Sequence, residues 1–266
     1  MEDMLKGFEA LKSEAVELID NGVRSPVLLV CEHASNRIPQ GWGTLGLAEE
    51  VLSQHIGWDI GAAAITRALA QRFGATAVLA CYSRLFMDCN RYPDWDDAVP
   101  MESDGVIIPG NVTLTIEEKA LRQAIAFTPL HDQISILIDR YRAHSIEPVL
   151  ISIHSFTPYM NGVHRPWGIG VLWNECDRLG EAVANALQSE PGWDVDLVVG
   201  RNEPYSAKAF ITYTLETHGR LRGLNNIALE IRNDLSGCPE SVGNVISLIE
   251  RVLLRLMPQL TKLSSP

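Results

Sequence analysis

The stretch VLISIHSFTP, residues 149–158, sets a strand-like run directly against a histidine. Apart from Ser152, residues 149–153 are apolar and most are β-branched, which is typical of a strand buried on both faces. His154 follows at the carboxyl end of this run, before small polar residues and a proline. Ligands of parallel sheets bind outside the carboxyl ends of the strands, so His154 stands where a ligand could bind, although a lone histidine at a strand end is more often a hydrogen-bonded structural residue.

The rest of the chain alternates similar short apolar runs with longer helical patterns. Strand-like runs include VLLVC at 27–31, TAVLACYS at 76–83 and NIALEIRND at 226–234. This alternation predicts a single α/β domain, residues 1–266, with a mostly parallel, mixed central sheet and helices on both faces. The apolar spacing near the start predicts an N-terminal helix within residues 1–22.

One further helix is predicted in some detail. Thr115 and Glu118 form a capping-box pattern, and helical spacing continues from there to about Ala143. Pro129 lies inside this pattern and predicts a kink, because proline lacks the N–H that an α-helix needs.

Composition narrows the classes of protein that fit. The 266 residues are 46% hydrophobic, enough for a large core, and carry a net charge of −11, which argues against nucleic acid or an anionic membrane as the main partner. Five scattered cysteines without a CxxC pair are typical of reduced thiols. An acidic N-terminus and the lack of a bilayer-length apolar run predict a soluble, cytoplasmic protein, either a monomer or a small homo-oligomer.

Polar side chains cluster where the predicted strands end. They are Glu32 and His33 after the first strand, Arg84, Asp88, Asn90 and Arg91 after the second, His154 after the third, and Glu230 in the last. Each residue alone is explained equally well by a cap, an ion pair or a structural hydrogen bond. Together they would place costly polar groups from four separate segments at one edge of the sheet, which favours a shared site.

The residue types in this cluster suit one chemistry. Two imidazoles and a carboxylate, with an open fourth position, are a ligand set that catalytic zinc takes. His33 and His154 would be the imidazoles, and Glu230 would be the general base that moves a proton from water to a leaving amine. Arg84 and Arg91 would bind a substrate carboxylate, and Arg84 would also have a catalytic role, in which it helps to hold the oxyanion of the tetrahedral intermediate.

The same residues carry a family resemblance. The ordered motifs VCEHASNRIP, WDIGAAAITRALAQRFGA, YSRLFMDCNR, ISIHSFTP, THG and ALEIRND resemble the N-formylglutamate amidohydrolase family over roughly residues 26–255. That family is similar to zinc carboxypeptidases and aspartoacylases, which implies a zinc-carboxypeptidase or phosphorylase/hydrolase-like fold. The resemblance implies a zinc ligand at His154 and a catalytic glutamate at Glu230.

The resemblance also implies substrate-binding residues. The DxNR element, here Asp88, Asn90 and Arg91, would help to bind the substrate carboxylate, with Arg84 just upstream. Weaker motifs of the same family add two further residues. His218, in the histidine–glycine turn, would polarise the substrate carbonyl or close over the site. Tyr205 would line the pocket. A surface histidine at a helix end is the alternative for His218. His131 and His144, on the long predicted helix, are interpreted as structural.

The sequence offers three candidates for the third metal ligand. Carboxypeptidases and aspartoacylases carry a Glu three residues after the first zinc histidine, where this chain has Asn36. Asp59 is the first choice, since it begins the helix after the first strand. Glu32 is the second, although strand alternation would point it away from His33. His55, four residues before Asp59, is the third.

These residues predict a zinc-dependent amidohydrolase with one Zn²⁺ per chain and a role in amino-acid metabolism. Its substrate would be a small N-acyl amino acid, most readily N-formyl-L-glutamate, which yields formate and L-glutamate. Three alternatives remain: a carboxypeptidase-like metallopeptidase, an amino-acid-binding protein that has lost its metal, as Asn36 suggests, and a structural protein with ion pairs at its strand ends.

Overall fold

In a computed structural model of the protein, the strand that carries His154 lies in the middle of a seven-stranded sheet. The structure describes residues 2–160, 162–191, 198–209, 212–236 and 238–260. The described strands are β1 (Val16–Ile19), β2 (Val27–Cys31), β3 (Thr76–Ala80), β4 (Glu102–Ser103), β5 (Val106–Ile107), β6 (Val149–Phe156), β7 (Tyr159–Met160), β8 (Val163–His164), β9 (Trp167–Leu172), β10 (Val198–Arg201) and β11 (Asn226–Arg232).

The central sheet has the strand order β1-β3-β2-β6-β11-β9-β10. β3, β2, β6 and β11 are parallel to one another, so their carboxyl ends meet at one edge. β1 is antiparallel to β3, and β9 is antiparallel to β11, with β10 parallel to β9. Two short hairpins, β4–β5 and β7–β8, stand outside this sheet. The prediction of a single α/β domain with a mostly parallel, mixed sheet is confirmed.

Helices cover both faces of the sheet, as predicted. The described α-helices are α1 (Glu2–Ser13), α2 (Glu49–Leu52), α3 (Ala62–Phe73), α4 (Ile116–Arg122), α5 (Thr128–Ala143), α6 (Asp177–Gln188) and α7 (Pro239–Leu260). Side chains of α3, α6 and α7 pack on one face, and those of α5 pack on the other. None of the described helices combines the length and the apolar character that crossing a membrane requires.

The chain's start differs from the predicted N-terminal helix over residues 1–22. The helix ends at Ser13, and Val16–Ile19 instead form the edge strand β1, which pairs with β3 from Val16 opposite Ala80 to Ile19 opposite Ala77. Helical and strand spacing are hard to separate over so short an apolar run. Pairing with the open edge of β3 decides the outcome, because it satisfies backbone groups that a longer helix would leave exposed there.

The predicted helix from Thr115 is confirmed at its start and interrupted in its middle. Thr115 Oγ1 accepts a hydrogen bond from the Glu118 N–H at 3.2 Å, which caps α4. A π-helical turn, Gln123–Phe127, then separates α4 from α5, and Pro129 lies in the first turn of α5. The missing N–H of proline is tolerated there, because a helix start has unpaired N–H groups in any case.

Gly170, in β9, allows a close approach on which the site depends. A Cβ at this position would lie 2.0 Å from the Glu203 carbonyl oxygen and 3.3 Å from the Cβ of Glu230. The loop after β10 therefore folds back over the face of the sheet that carries Glu230. Tyr205 lies in that loop, so the position of Tyr205 depends on the absence of a side chain at Gly170.

We expect Gly170→Ala to lower the free energy of unfolding by about 1–3 kcal/mol, because the Glu203 backbone would have to move. Gly243→Ala in α7 is the matched control, since a Cβ there meets no atom within 4 Å. That change should raise stability by about 0.5–1 kcal/mol through helix propensity. Urea denaturation of both variants measures the two effects, and equal stability of Gly170→Ala and the natural protein would contradict the proposed close approach.

Candidate metal centre and active site

The pairing of β6 with β11 places two of the predicted site residues side by side. Glu230 is the direct partner of His154 in this parallel ladder. Ile153 and Leu229 point into the α3/α6/α7 core, so strand alternation directs His154 and Glu230 to the opposite face. Both side chains are buried, and both line the same cavity.

His33 and Asp59 reach this point from two loops. His33 follows the end of β2, and its carbonyl accepts a hydrogen bond from the Asp59 N–H at 2.9 Å. Asp59 lies just before α3, whose first helical residue is Ala62. This backbone bond holds the turn before α3 against the end of β2.

The three predicted metal ligands converge. Asp59 Oδ2 lies 2.8 Å from His154 Nδ1 and 3.3 Å from His33 Nδ1. One candidate ligand atom from each of His33, Asp59 and His154 lies within 4.8 Å of the others, and all three residues are buried. This is the only such group of histidine, cysteine and acidic side chains among the described residues.

The geometry favours Asp59 over the two alternative third ligands. Glu32 Oε2 lies 3.2 Å from His154 Nε2, on the side of the ring away from Asp59. His55 Nδ1 lies 4.0 Å from Asp59 Oδ1, the oxygen that does not face the other two histidines. Neither residue belongs to the converging group.

The outward nitrogen of each histidine is held by hydrogen bonds. His33 Nε2 donates to Asp88 Oδ1 at 2.8 Å. His154 Nε2 donates to Ser152 Oγ at 2.8 Å, and the Ser152 hydroxyl donates to Glu32 Oε2 at 2.7 Å. Such partners fix the ring orientation and the tautomer of metal-binding histidines.

This arrangement fits a divalent cation. A neutral ring that donates from Nε2 has a lone pair on Nδ1, and in both histidines Nδ1 faces Asp59 Oδ2. One cation at this common point would be bound by both lone pairs and by the carboxylate. The set of two imidazoles and one carboxylate could therefore hold a metal ion such as zinc.

The acidic groups around His154 differ in their protonation. Burial alone would raise the pKa of Glu32, but the charge of His154 and the hydrogen bonds from His154, Thr214 and Ser152 outweigh it and lower that pKa to about 2. Burial raises the pKa of Glu230 to about 7.

Glu230 Oε2 is buried and has no hydrogen-bond partner in the described structure. A buried polar atom without a partner is costly, and here it lies in the wall of a cavity where a ligand can reach it.

A cavity of about 290 Å³ opens over these groups. The predicted site residues in its wall are His33, His55, Asp59, Arg84, Asn90, Arg91, His154, Tyr205 and Glu230. Arg84 also donates to Asp59 Oδ1 at 3.4 Å and to Asp88 Oδ2 at 3.0 Å. Its guanidinium therefore bridges two acidic residues of the centre while it lines the cavity.

Three predicted residues do not reach the cavity wall: Glu32, described above, Asp88 and His218. Asp88 was expected to bind substrate, but its oxygens accept hydrogen bonds from His33, Arg84 and the Asn90 N–H, which place it behind His33. His218 was expected at the substrate carbonyl. It is instead buried in a π-helical turn, Thr214–Gly219, with its Nε2 2.9 Å from His131 Nδ1.

The buried His131–His218 pair has a structural character. His131 Nε2 donates to the Cys89 carbonyl at 2.8 Å, and the two rings stack with their centroids 5.1 Å apart. Burial lowers the pKa of His131 to about 4 and that of His218 to about 3. His131 thus joins α5 to the loop that carries Asn90, and its contact with His218 joins α5 to the π-helical turn.

Two residues of the site were missed or given little weight by sequence reasoning. Ser152 precedes His154 by two residues, and strand period could have indicated that the two share a face. Arg165 is 7% exposed and lines the cavity. Nothing in the sequence around it distinguishes it from an ordinary loop arginine.

Two solved structures resemble this chain over nearly its whole length. A gene product of Agrobacterium tumefaciens of known crystal structure is 38% identical, with a TM-score of 0.84 over 93% of this chain and 98% of that one. N-formylglutamate amidohydrolase from Ralstonia eutropha has the same fold, with 19% identity and a TM-score of 0.70 over 94% of this chain and 99% of that one. No curated protein matches the chain.

The sequence also matches a described family over most of its length. Residues 25–236 match the N-formylglutamate amidohydrolase family. This range contains His33, Asp59 and His154, the group that could hold a metal ion, and Glu230. The chain therefore belongs to the N-formylglutamate amidohydrolase family, whose members are hydrolases of amide bonds.

Proposed function

We propose that this protein is a zinc-dependent hydrolase that cleaves N-formyl-L-glutamate into formate and L-glutamate. One observation carries the proposal: the His33–Asp59–His154 group and the unbonded carboxylate oxygen of Glu230 share one cavity. A metal-activated hydrolysis needs both a ligand set and a proton acceptor that can reach the reacting water.

The ligand set favours zinc among common divalent ions. Two imidazole nitrogens and one carboxylate oxygen leave a fourth position for water or substrate, as in catalytic zinc sites. Bound there, zinc would lower the pKa of a water molecule and polarise the acyl oxygen. With Asp59 as third ligand, the presence of Asn36 in place of a ligand would no longer argue for a metal-free binding protein.

Glu230 is the residue that moves the proton. Its Oε2 would accept a proton from the attacking water and then donate it to the amide nitrogen, so that the C–N bond breaks and the amine leaves. The pairing of β11 with β6 keeps Glu230 beside His154. A carboxylate on a central strand is more rigid than one on a loop.

The arginines and Asn90 would orient the substrate. Arg84, Asn90 and Arg91 all line the cavity. Asn90 is held in place, because its side-chain oxygen accepts the Thr214 N–H at 3.2 Å. A guanidinium binds a carboxylate with two parallel hydrogen bonds, which fixes the distance of the amide from the metal ligands. A cavity of about 290 Å³ suits a small N-acyl amino acid.

We expect the purified protein to bind about one zinc ion per chain and His154→Ala to lose most of it, because removal of one of three protein ligands opens the site. Elemental analysis after dialysis against excess zinc measures this. His144→Ala is the matched control, since His144 is exposed and its ring bonds the Arg140 carbonyl, away from the candidate site. Equal zinc content in His154→Ala and His144→Ala would exclude the proposed ligand.

We expect Glu230→Gln to lower kcat for N-formyl-L-glutamate by about 10²–10⁴-fold, because the amide cannot accept the proton, while zinc content stays unchanged. Formate and amine release would be measured at saturating zinc. Glu175→Gln, an exposed acid 3.5 Å from Arg220, is the control and should keep its activity. Full activity of Glu230→Gln would exclude the proposed base, and cleavage of dipeptides but not of formylated amino acids would favour the carboxypeptidase alternative.

A further inference from the structure

Arg165 is a buried cation in the wall of the cavity. It follows the β7–β8 hairpin and is 7% exposed. Its guanidinium makes hydrogen bonds to neutral groups: Nε donates to the Thr157 carbonyl at 2.8 Å, Nη2 to Thr157 Oγ1 at 2.6 Å, and Nη1 to the Tyr205 hydroxyl at 2.8 Å. The aromatic rings of Phe156 and Tyr205 lie 5.2 and 5.5 Å from its central carbon.

Arg165 differs from the other two arginines of the cavity in its charge balance. Arg84 forms ion pairs with Asp59 and Asp88, and Arg91 forms one with Asp97. No acidic side chain of the described residues lies within ion-pair distance of Arg165. A buried charge without a counter-ion is costly, so the fold maintains a positive charge here that an anion can neutralise.

Its free hydrogen-bond donors match a carboxylate. A guanidinium has five N–H groups, and the three bonds to Thr157 and Tyr205 use one each on Nε, Nη1 and Nη2. One N–H on each terminal nitrogen is left, which is the pair that binds the two oxygens of a carboxylate. The Thr157 and Tyr205 bonds also fix the plane of the group before a ligand arrives.

We propose that Arg165 binds a second carboxylate of the substrate, so that the site selects N-acyl amino acids with an acidic side chain. The inference rests on the proposed function and deepens it. Arg91 and Asn90 hold one carboxylate, and Arg165, oriented by Tyr205, holds the other. A substrate with only one carboxylate leaves the Arg165 charge without a counter-ion and binds more weakly.

The test compares ligands that differ only in the side-chain terminus. Calorimetry measures binding of L-glutamate and of L-glutamine to the zinc-loaded protein, and kinetics measures kcat/KM for their N-formyl derivatives. We expect the natural protein to prefer the dicarboxylic member of each pair by about 10–100-fold, because a charged hydrogen-bonded pair is lost with the amide. Arg165→Met should abolish this preference, and Arg165→Lys should keep part of it.

Arg201→Met is the matched control. Arg201 is a partly exposed arginine outside the cavity that bonds Glu181 and Asn185, and its loss should leave the preference unchanged. A purely structural role of Arg165 would weaken both ligands equally and keep their ratio. Should Arg165→Met fail to fold, Arg165→Lys and Tyr205→Phe supply the comparison, each with a reduced ratio.

The outcomes separate this inference from the proposed function. Hydrolysis of both formyl derivatives at equal rates by the natural protein would overturn the role of Arg165 and keep the proposed function. Glutamate binding that depends on Arg165, without hydrolysis, would keep the role of Arg165 and overturn the proposed function. If the protein neither binds L-glutamate nor hydrolyses either formyl derivative, both the role of Arg165 and the proposed function are overturned.

Discussion

The contact of Asp59 Oδ2 with the Nδ1 atoms of His33 and His154 is the constraint around which this site is built. It joins three segments that are far apart in sequence: the end of β2, the turn before α3 and the middle of β6. Each of the three side chains is buried, so none of them can replace its contacts in the protein by hydrogen bonds to bulk water. The outer hydrogen bonds of Asp88, Ser152 and Glu32 follow from this contact, because they hold the rings in the one orientation that presents Nδ1 to Asp59.

Strand order explains why the segments meet. β2 and β11 both flank β6 in parallel, so residues at equivalent heights of three neighbouring strands come together. Ile153 and Leu229 pack into the core formed with α3, α6 and α7 on one face of the sheet. Their strand neighbours His154 and Glu230 therefore point to the opposite face. Sheet register thus fixes His154 and Glu230 on rigid central strands, whereas His33 and Asp59 lie on loops that their backbone hydrogen bond holds against the end of β2.

Sequence reasoning found the parts of the site that follow from strand ends and failed where side-chain direction or charge balance decides. His33, His154 and Glu230 could be predicted because each lies at or near the end of an apolar run. The choice between Asp59 and Glu32 required knowing that β2 ends at Cys31, so strand alternation no longer governs the next residues. Asp88 and His218 do not line the cavity, and the sequence pattern could not show this, because it does not reveal which partners a buried polar group finds. The sequence indicates Arg165 only as a weak candidate, because its significance is the lack of a nearby acid among the described residues, a property of three-dimensional packing.

The reversal of β9 separates two parts of the cavity wall. Because β9 runs antiparallel to β11, its amino end, rather than its carboxyl end, lies at the edge where β6 and β11 finish. The segment that precedes β9, with its hairpin and Arg165, therefore enters the pocket from the opposite direction to the segments that carry His33, Asp59 and His154. Such an arrangement is modular: a substitution in this segment changes the lining of the cavity without altering the strand register that holds His154 beside Glu230.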